Sequence, residues 1–290
     1  MITGYPPPVD GEDFIRRFHR AHPGVTTAAL ARARVVGTAG SSYDLLAAAL
    51  PVGGRVLDLG CGDGFLVDRL HARGHRAADL LGLDLSADEL ARARARLPTA
   101  GWLQARAQAI PLATASCAAI ASHLAWTLMP DLDAIADELA RVLAPGGVFV
   151  TLVGGGPRGD DAFAGLLDLA APLARAAPAT PRLGDPRARR DDGLAGLLGP
   201  ARGFELAAIA DVTLDLAGTA DEVWASLVPC YELATVGAAA LATLHAAFVA
   251  AAPRWRRADG LVGATMYARL VTATRTRSPA SRSGHPSGRR

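Results

Sequence analysis

The sequence predicts an α/β fold built on a doubly wound, mostly parallel sheet, and three observations carry that expectation. Short apolar runs alternate with helical patterns from residue 55 onward, the rhythm of consecutive βαβ units. The first run ends in a cluster of glycines, and the next one ends in an acid, Asp84. The chain's 290 residues, 50% of them hydrophobic, are enough for one large α/β domain or two small ones.

The first strand is expected at 55–59, where Val56, Leu57 and Leu59 suit a buried parallel strand, and its helix at 64–73. A second strand at 80–84 leads into a helix N-capped by Ser86, with Glu89 three residues on, which continues until Pro98 stops it. Residues 102–104 and 118–122 are the third and fourth strands. An amphipathic helix at 131–143, with Ile135, Leu139 and Val142 on one face, ends at Pro145-Gly146-Gly147 before a buried strand at 148–153. Residues 154–157 read as a loop, 162–176 as a helix, and 178–192 as a Pro/Arg/Asp-rich loop long enough to act as a lid. A strand at 204–216, a helix capped by Thr219 or Asp221 and carrying Trp224 and Leu227, a helix at 238–251 and a strand at 264–272 complete the order. Residues 1–49 are expected to form helices over the C-terminal edge of the sheet.

The most informative stretch is Val56-Leu57-Asp58-Leu59-Gly60-Cys61-Gly62-Asp63-Gly64, followed by Gly82-Leu83-Asp84-Leu85-Ser86. Its glycines let the backbone turn sharply and approach a ligand without Cβ clashes. A dinucleotide fingerprint has two residues between its second and third glycines, to seat a pyrophosphate at a helix N-terminus; here there is one. Asp58 would also be unhelpful beside a pyrophosphate. A nicotinamide or flavin site and a merely structural glycine turn are the competing readings. Together with Arg141-Val142-Leu143-Ala144-Pro145-Gly146-Gly147, these residues resemble the class I S-adenosylmethionine-dependent methyltransferase family, over about residues 52–153.

That resemblance implies a seven-stranded, Rossmann-like sheet whose last strand inserts antiparallel beside the sixth, with S-adenosyl-L-methionine as cofactor. It implies a turn made by Asp58, Gly60, Gly62 and Gly64, with Asp58 near the cofactor's ammonium group, a backbone contact from Cys61, Asp84 on a ribose hydroxyl and Leu85 on the adenine. Relatives follow with Asp-Ala-x-x-Leu-Pro, whose acid meets the adenine amino group. Here the segment is Arg106-Ala107-Gln108-Ala109-Ile110-Pro111, which leaves the amide of Ala107 and the side chain of Gln108 for the base. Tyr43 is expected to close over the cofactor. His123, at the C-terminal edge where open α/β sheets bind ligands, is the leading general base, the alternative being a contact to the cofactor's methionine part or packing alone. Trp126 is expected to wall the acceptor site, and Tyr231 and His245 to reach the acceptor from cap segments. The domain reading is a helical cap at 1–49, a cofactor-binding half at 50–153, an acceptor-side half at 154–274 and a disordered Arg/Ser/Pro tail at 275–290.

Composition narrows the chemistry. The chain has no lysine and no asparagine, which removes Schiff-base and phosphate-loop lysines and the Asn form of the Asn/Asp-Pro-Pro-Tyr signature of amino-methylating enzymes. The net charge of +2 owes five arginines to residues 275–290, leaving an acidic body and little support for a nucleic-acid-binding face. Cys61, Cys117 and Cys230 are widely spaced and odd in number, which fits a reducing cytoplasm and neither a disulfide framework nor a metal cluster. Pro229-Cys230 resembles the Pro-Cys nucleophile of cytosine C5 methyltransferases but lies far downstream of that position, so Cys230 reads as packing. Nothing ties His19 or His22 to a site. No signal peptide or membrane span is expected. The functional expectation is methyl transfer to an O or N atom of a small molecule in specialised metabolism, with a homodimer as the expected assembly. The alternatives are an RNA or protein methyltransferase and a non-catalytic cofactor-binding protein.

Overall fold

A computed structural model of the chain describes residues 11–178 and 180–277, so the expected tail is outside the described residues from 278 onward. Eight strands alternate with helices: β1 (Arg34–Val35), β2 (Val56–Leu59), β3 (Leu80–Asp84), β4 (Gly101–Gln104), β5 (Cys117–His123), β6 (Leu143–Pro157), β7 (Phe204–Asp215) and β8 (Thr265–Arg275). They form one sheet in the order β1-β7-β8-β6-β5-β2-β3-β4. The pairs β6·β5, β5·β2, β2·β3 and β3·β4 are parallel, whereas β8 runs antiparallel between β6 and β7. The eighth strand is the two-residue β1, which pairs with the end of β7 and had no apolar run to announce it.

The helices are α1 (Gly11–Ala21), α2 (Val25–Leu30), α3 (Ser42–Ala48), α4 (Phe65–Ala72), α5 (Ala87–Arg96), α6 (Leu132–Val142), α7 (Ala162–Ala176), α8 (Asp191–Leu197), α9 (Ala220–Leu227) and α10 (Ala238–Ala251). Two clusters of buried side chains sandwich the sheet. One gathers Leu46, Leu66, Leu70, Val150 and Phe248, the other Leu57, Leu59, Ile135, Leu139 and Phe149. Each fully buried Leu or Phe contributes about 1.5–3 kcal/mol, so the central strands are fixed by burial on both faces. Hydroxyls lock their ends in register: Ser122 Oγ donates to Leu59 O at 2.9 Å and Thr151 Oγ1 to Ser122 O at 2.9 Å.

Two boundaries and one capping arrangement differ from the sequence reading. Residues 154–157 are not a loop, because β6 carries on to Pro157 against β8. Likewise β8 extends to Arg275, whose guanidinium donates to Ala140 O and Gly203 O, so residue 275 ends a strand rather than starting the tail. Ser86 does cap α5 by accepting the Glu89 N–H, but the Glu89 carboxylate reaches the N-terminal arm instead of closing a capping box.

Candidate active site

The chain runs outward from β2 to β3 and β4, then returns to place β5 on the other side of β2. This switch point leaves a crevice beyond the carboxyl ends of the strands, where open α/β sheets bind ligands. A cavity of about 1070 Å³ occupies it, roofed by residues 24–27, the 180–189 loop and the 226–232 segment.

The floor is the glycine turn. After β2, the N–H groups of Gly60 and Cys61 both donate to Leu83 O, at 2.8 and 3.0 Å, laying the turn across the end of β3. Gly60 has φ +76°, and a Cβ there would sit 2.4 Å from Ala125 Cβ. Gly62, at φ +51°, faces open space, so a ligand can approach its backbone. Gly64 lies outside the lining and N-caps α4 against Trp102 and Ala93.

Carboxylates surround that turn. Asp84 accepts the Gly62 N–H at 2.9 Å and the Ser86 N–H at 2.8 Å. Burial raises its pKa, against the lowering effect of those two backbone donors. Asp58 is 2% exposed, and its Oδ1 has no hydrogen-bond partner among the described residues. Burial, then the neighbouring Asp84 and Asp63, push its carboxyl well above the usual range. An orphaned buried oxygen within an acid cluster is what a cationic ligand would satisfy, and it disfavours a pyrophosphate. Cys61, Leu85, Ala107 and Gln108 complete this side of the lining, with Gln108 Nε2 donating to Pro130 O at 2.7 Å. Arg106, which stands where relatives carry an acid, pairs instead with Glu12 of α1 at 2.8 Å.

At the end of β5, His123 lines the cavity and stacks on Tyr43 with ring centroids 3.8 Å apart and planes 16° from parallel. Its Nε2 is 2.9 Å from Ser42 Oγ. Burial pushes its pKa down to about 3, so the ring is neutral near pH 7 and a poor proton acceptor. Leu124 follows at φ +60°, a rare conformation for a bulky residue, and turns residues 124–130 over the strand ends.

The N-terminal arm is tied to the floor through side chains that sequence reasoning passed over. Glu89, 2% exposed, accepts both the Gly24 N–H, at 3.0 Å, and His19 Nδ1–H, at 2.9 Å, while His19 Nε2 lies 3.1 Å from the Tyr231 hydroxyl. Thr27 Oγ1 donates to Asp63 Oδ1 at 2.6 Å. Only the Ser86–Glu89 spacing hinted at Glu89, and it pointed to a helix cap.

Two expectations about the acceptor wall are corrected. Trp126 is fully buried behind the lining against Phe149, because the turn after β5 points it into the core. His245 sits on α10 outside the cavity, paired with Asp221 at 3.0 Å and packed on Trp224. Tyr231 does line the cavity, as does Cys230, whose thiol is raised to about 11, chiefly by burial. Among the described residues no group of His, Cys, Asp and Glu could hold a metal ion.

A switch-point cavity floored by a glycine turn between two carboxylates, on a sheet whose last strand inserts antiparallel, defines a Rossmann-like methyltransferase fold. Residues 57–151 match the methyltransferase-domain family, and the chain carries a class I S-adenosylmethionine-dependent methyltransferase domain. A malonyl-acyl-carrier-protein O-methyltransferase of Enterobacter lignolyticus is 37% identical over 150 residues, 50% of this chain and 56% of that one. A fatty-acid O-methyltransferase of Mycolicibacterium smegmatis is 39% identical over 100 residues, 34% of this chain and 36% of that one. For a trans-aconitate 2-methyltransferase of Methylobacterium nodulans the values are 42% over 106 residues, 36% and 40%. The chain thus matches between about a third and just over half the length of these relatives. Among solved structures, the 4+2 cyclase SpnF superposes with a TM-score of 0.56 at 19% identity, covering 96% of this chain and 100% of that one. A type II methyltransferase candidate of Anaeromyxobacter dehalogenans gives 0.60 at 22% identity, covering 81% and 96%. At these identities the superpositions speak for the fold alone.

Proposed function

We propose that this protein transfers the methyl group of S-adenosyl-L-methionine to an oxygen atom of a small molecule. The observation that carries the reading is the pairing of the Gly60–Gly62 turn with two cavity-lining carboxylates, Asp58 and Asp84, on adjacent parallel strands. The cofactor supplies a methyl group already electrophilic on its sulfonium, so the protein's task is to bind, orient and exclude water. Asp58 would take the ammonium group, and the free lone pairs of Asp84 the ribose hydroxyls. Leu85, Ala107 and Gln108 would flank the base, and Tyr43 and His123 would close the methionine end with a neutral, stacked wall.

Oxygen is favoured over nitrogen by the O-methyltransferase names of the first two relatives. The acidic body and the fatty-acid and trans-aconitate names of two relatives support a small acceptor over RNA or protein. A cytoplasmic setting belongs to this proposal and is supported by three free cysteines. A place in specialised metabolism belongs to it as well. Among the described residues, no helix is long and apolar enough to cross a membrane.

Titration calorimetry tests the reading. S-adenosylmethionine and its demethylated product, S-adenosylhomocysteine, are expected to bind the wild type, and Asp84→Ala to weaken both by about tenfold or more, the loss of a charged hydrogen-bond acceptor. If neither compound binds, the methyltransferase reading fails. If both bind the variant unchanged, the ribose assignment fails while the fold stands.

A further inference from the structure

The charges lining the cavity are sorted by side. The floor and the arm bring Asp58, Asp63, Asp84, Glu89 and Glu12. The cap brings two arginines, Arg182 and Arg189, both exposed, from the 180–189 loop, with Glu232 as its one acid. The loop and the start of α8 hold three further acids, and each is taken by an arginine that does not line the cavity wall beside them: Asp185 by Arg187, Asp192 by Arg190 and Asp191 by Arg269. Arg182 and Arg189 have no carboxylate within ion-pair distance among the described residues, although Arg189 lends its main-chain carbonyl to Arg269. The lining also holds the apolar side chains of Phe163, Leu167, Leu216, Leu227 and Met266.

We propose that the acceptor is a carboxylic acid on an apolar chain, bound as its anion with Arg182 and Arg189 as counter-charges and methylated on a carboxylate oxygen. This rests on the methyltransferase reading and names its substrate class. The step balances without a proton: a carboxylate lone pair forms the new C–O bond as the S–CH3 bond breaks, the anion becoming a neutral ester and the sulfonium a neutral thioether. No general base is required, which agrees with a His123 held neutral by burial. Opposite charges meet and vanish in the transition state, so an apolar wall around them favours the transfer. The guanidinium fork suits a carboxylate and has nothing to offer an amine.

The test uses three probes with one tail, dodecanoate, dodecanol and dodecylamine, incubated with the full chain and S-adenosylmethionine labelled on its methyl group. Dodecanoate is expected to yield its methyl ester and the other two no product. In Arg182→Gln and Arg189→Gln, KM for dodecanoate is expected to rise about tenfold per guanidinium removed, while S-adenosylhomocysteine affinity and melting temperature stay at wild-type values. Arg→Lys at each position should recover part of the loss. Methylation of the alcohol or the amine in preference, an unchanged KM in both Gln variants, or no dodecanoate turnover by protein that binds S-adenosylhomocysteine would each overturn the proposal and leave the methyltransferase reading intact. Failure to bind S-adenosylhomocysteine would remove both.

Discussion

The floor of the cavity is made of strand ends in fixed register, Leu59 beside Leu83 and Asp84 beside Gln104, whereas its cap is a set of side chains that loops and helices bring from far along the chain. On the floor, backbone does much of the work. Gly60 and Cys61 bond to β3 through their N–H groups, and the Asp84 carboxylate holds the turn by accepting the Gly62 N–H. On the cap, shape and charge belong to Phe163, Arg182, Arg189, Leu227 and Met266, which share no motif. A floor of this kind can serve one cofactor with many caps. That the 4+2 cyclase SpnF shares the fold makes the same point, since a shared sheet does not settle the reaction.

Breaking the floor should have the largest effect. Gly60→Val places a branched side chain at φ +76° and against Ala125, so the turn must move. Strain and overpacking together should cost about 2 kcal/mol or more in urea unfolding, and calorimetry should find no S-adenosylhomocysteine binding. A comparable substitution on the cap, such as Leu167→Val, should leave cofactor binding unchanged.

The next effect is acid sensitivity at the boundary between floor and cap. The pKa of His123 in the folded protein, about 3, lies below the ordinary value of 6.5, so the unfolded chain takes up a proton first as the pH falls. Stability should therefore drop by about 1.4 kcal/mol per pH unit from this group between about pH 6 and pH 4. His123→Gln should show a slope shallower by one proton in urea unfolding over that range. Equal slopes in the two proteins would mean that the ring is solvated or paired in solution.

The smallest expected effect is a gain. With its pKa raised by burial, Asp58 destabilises the folded protein once the pH rises above the ordinary carboxylate value, and the penalty is complete above its folded pKa. Asp58→Asn should stabilise the ligand-free protein at pH 7 by about 1–3 kcal/mol, a difference that shrinks toward pH 3, while weakening S-adenosylhomocysteine binding. Loss of stability at pH 7 would show that Asp58 is paired without a ligand.

Much of the floor was legible because strand, turn and acid lie within a few dozen consecutive residues and each has a local cause. Val56 to Leu59 alternates nothing and is buried on both faces, the glycines need positive φ, and Asp84 must stand at the end of the neighbouring strand. The cap was harder to read. Trp126 looked like a wall because it follows β5, but the turn through Leu124 at φ +60° sends it into the core, and no pattern announces such a turn. His245 and Tyr231 were equivalent in sequence, and only the packing of α10 against α9 separated them.

By itself, then, the sequence determined the doubly wound sheet, the glycine turn and the two acids that flank it, since hydrophobic periodicity and backbone sterics act over neighbouring residues. The tertiary structure decided that Glu89 clasps His19 and Gly24 instead of closing a capping box, that Arg106 anchors Glu12, and that Arg182 and Arg189 line the cavity without an ion-pair partner among the described residues. These are pairings between residues scores of positions apart, and their partners are chosen by which surfaces the folded core brings within reach.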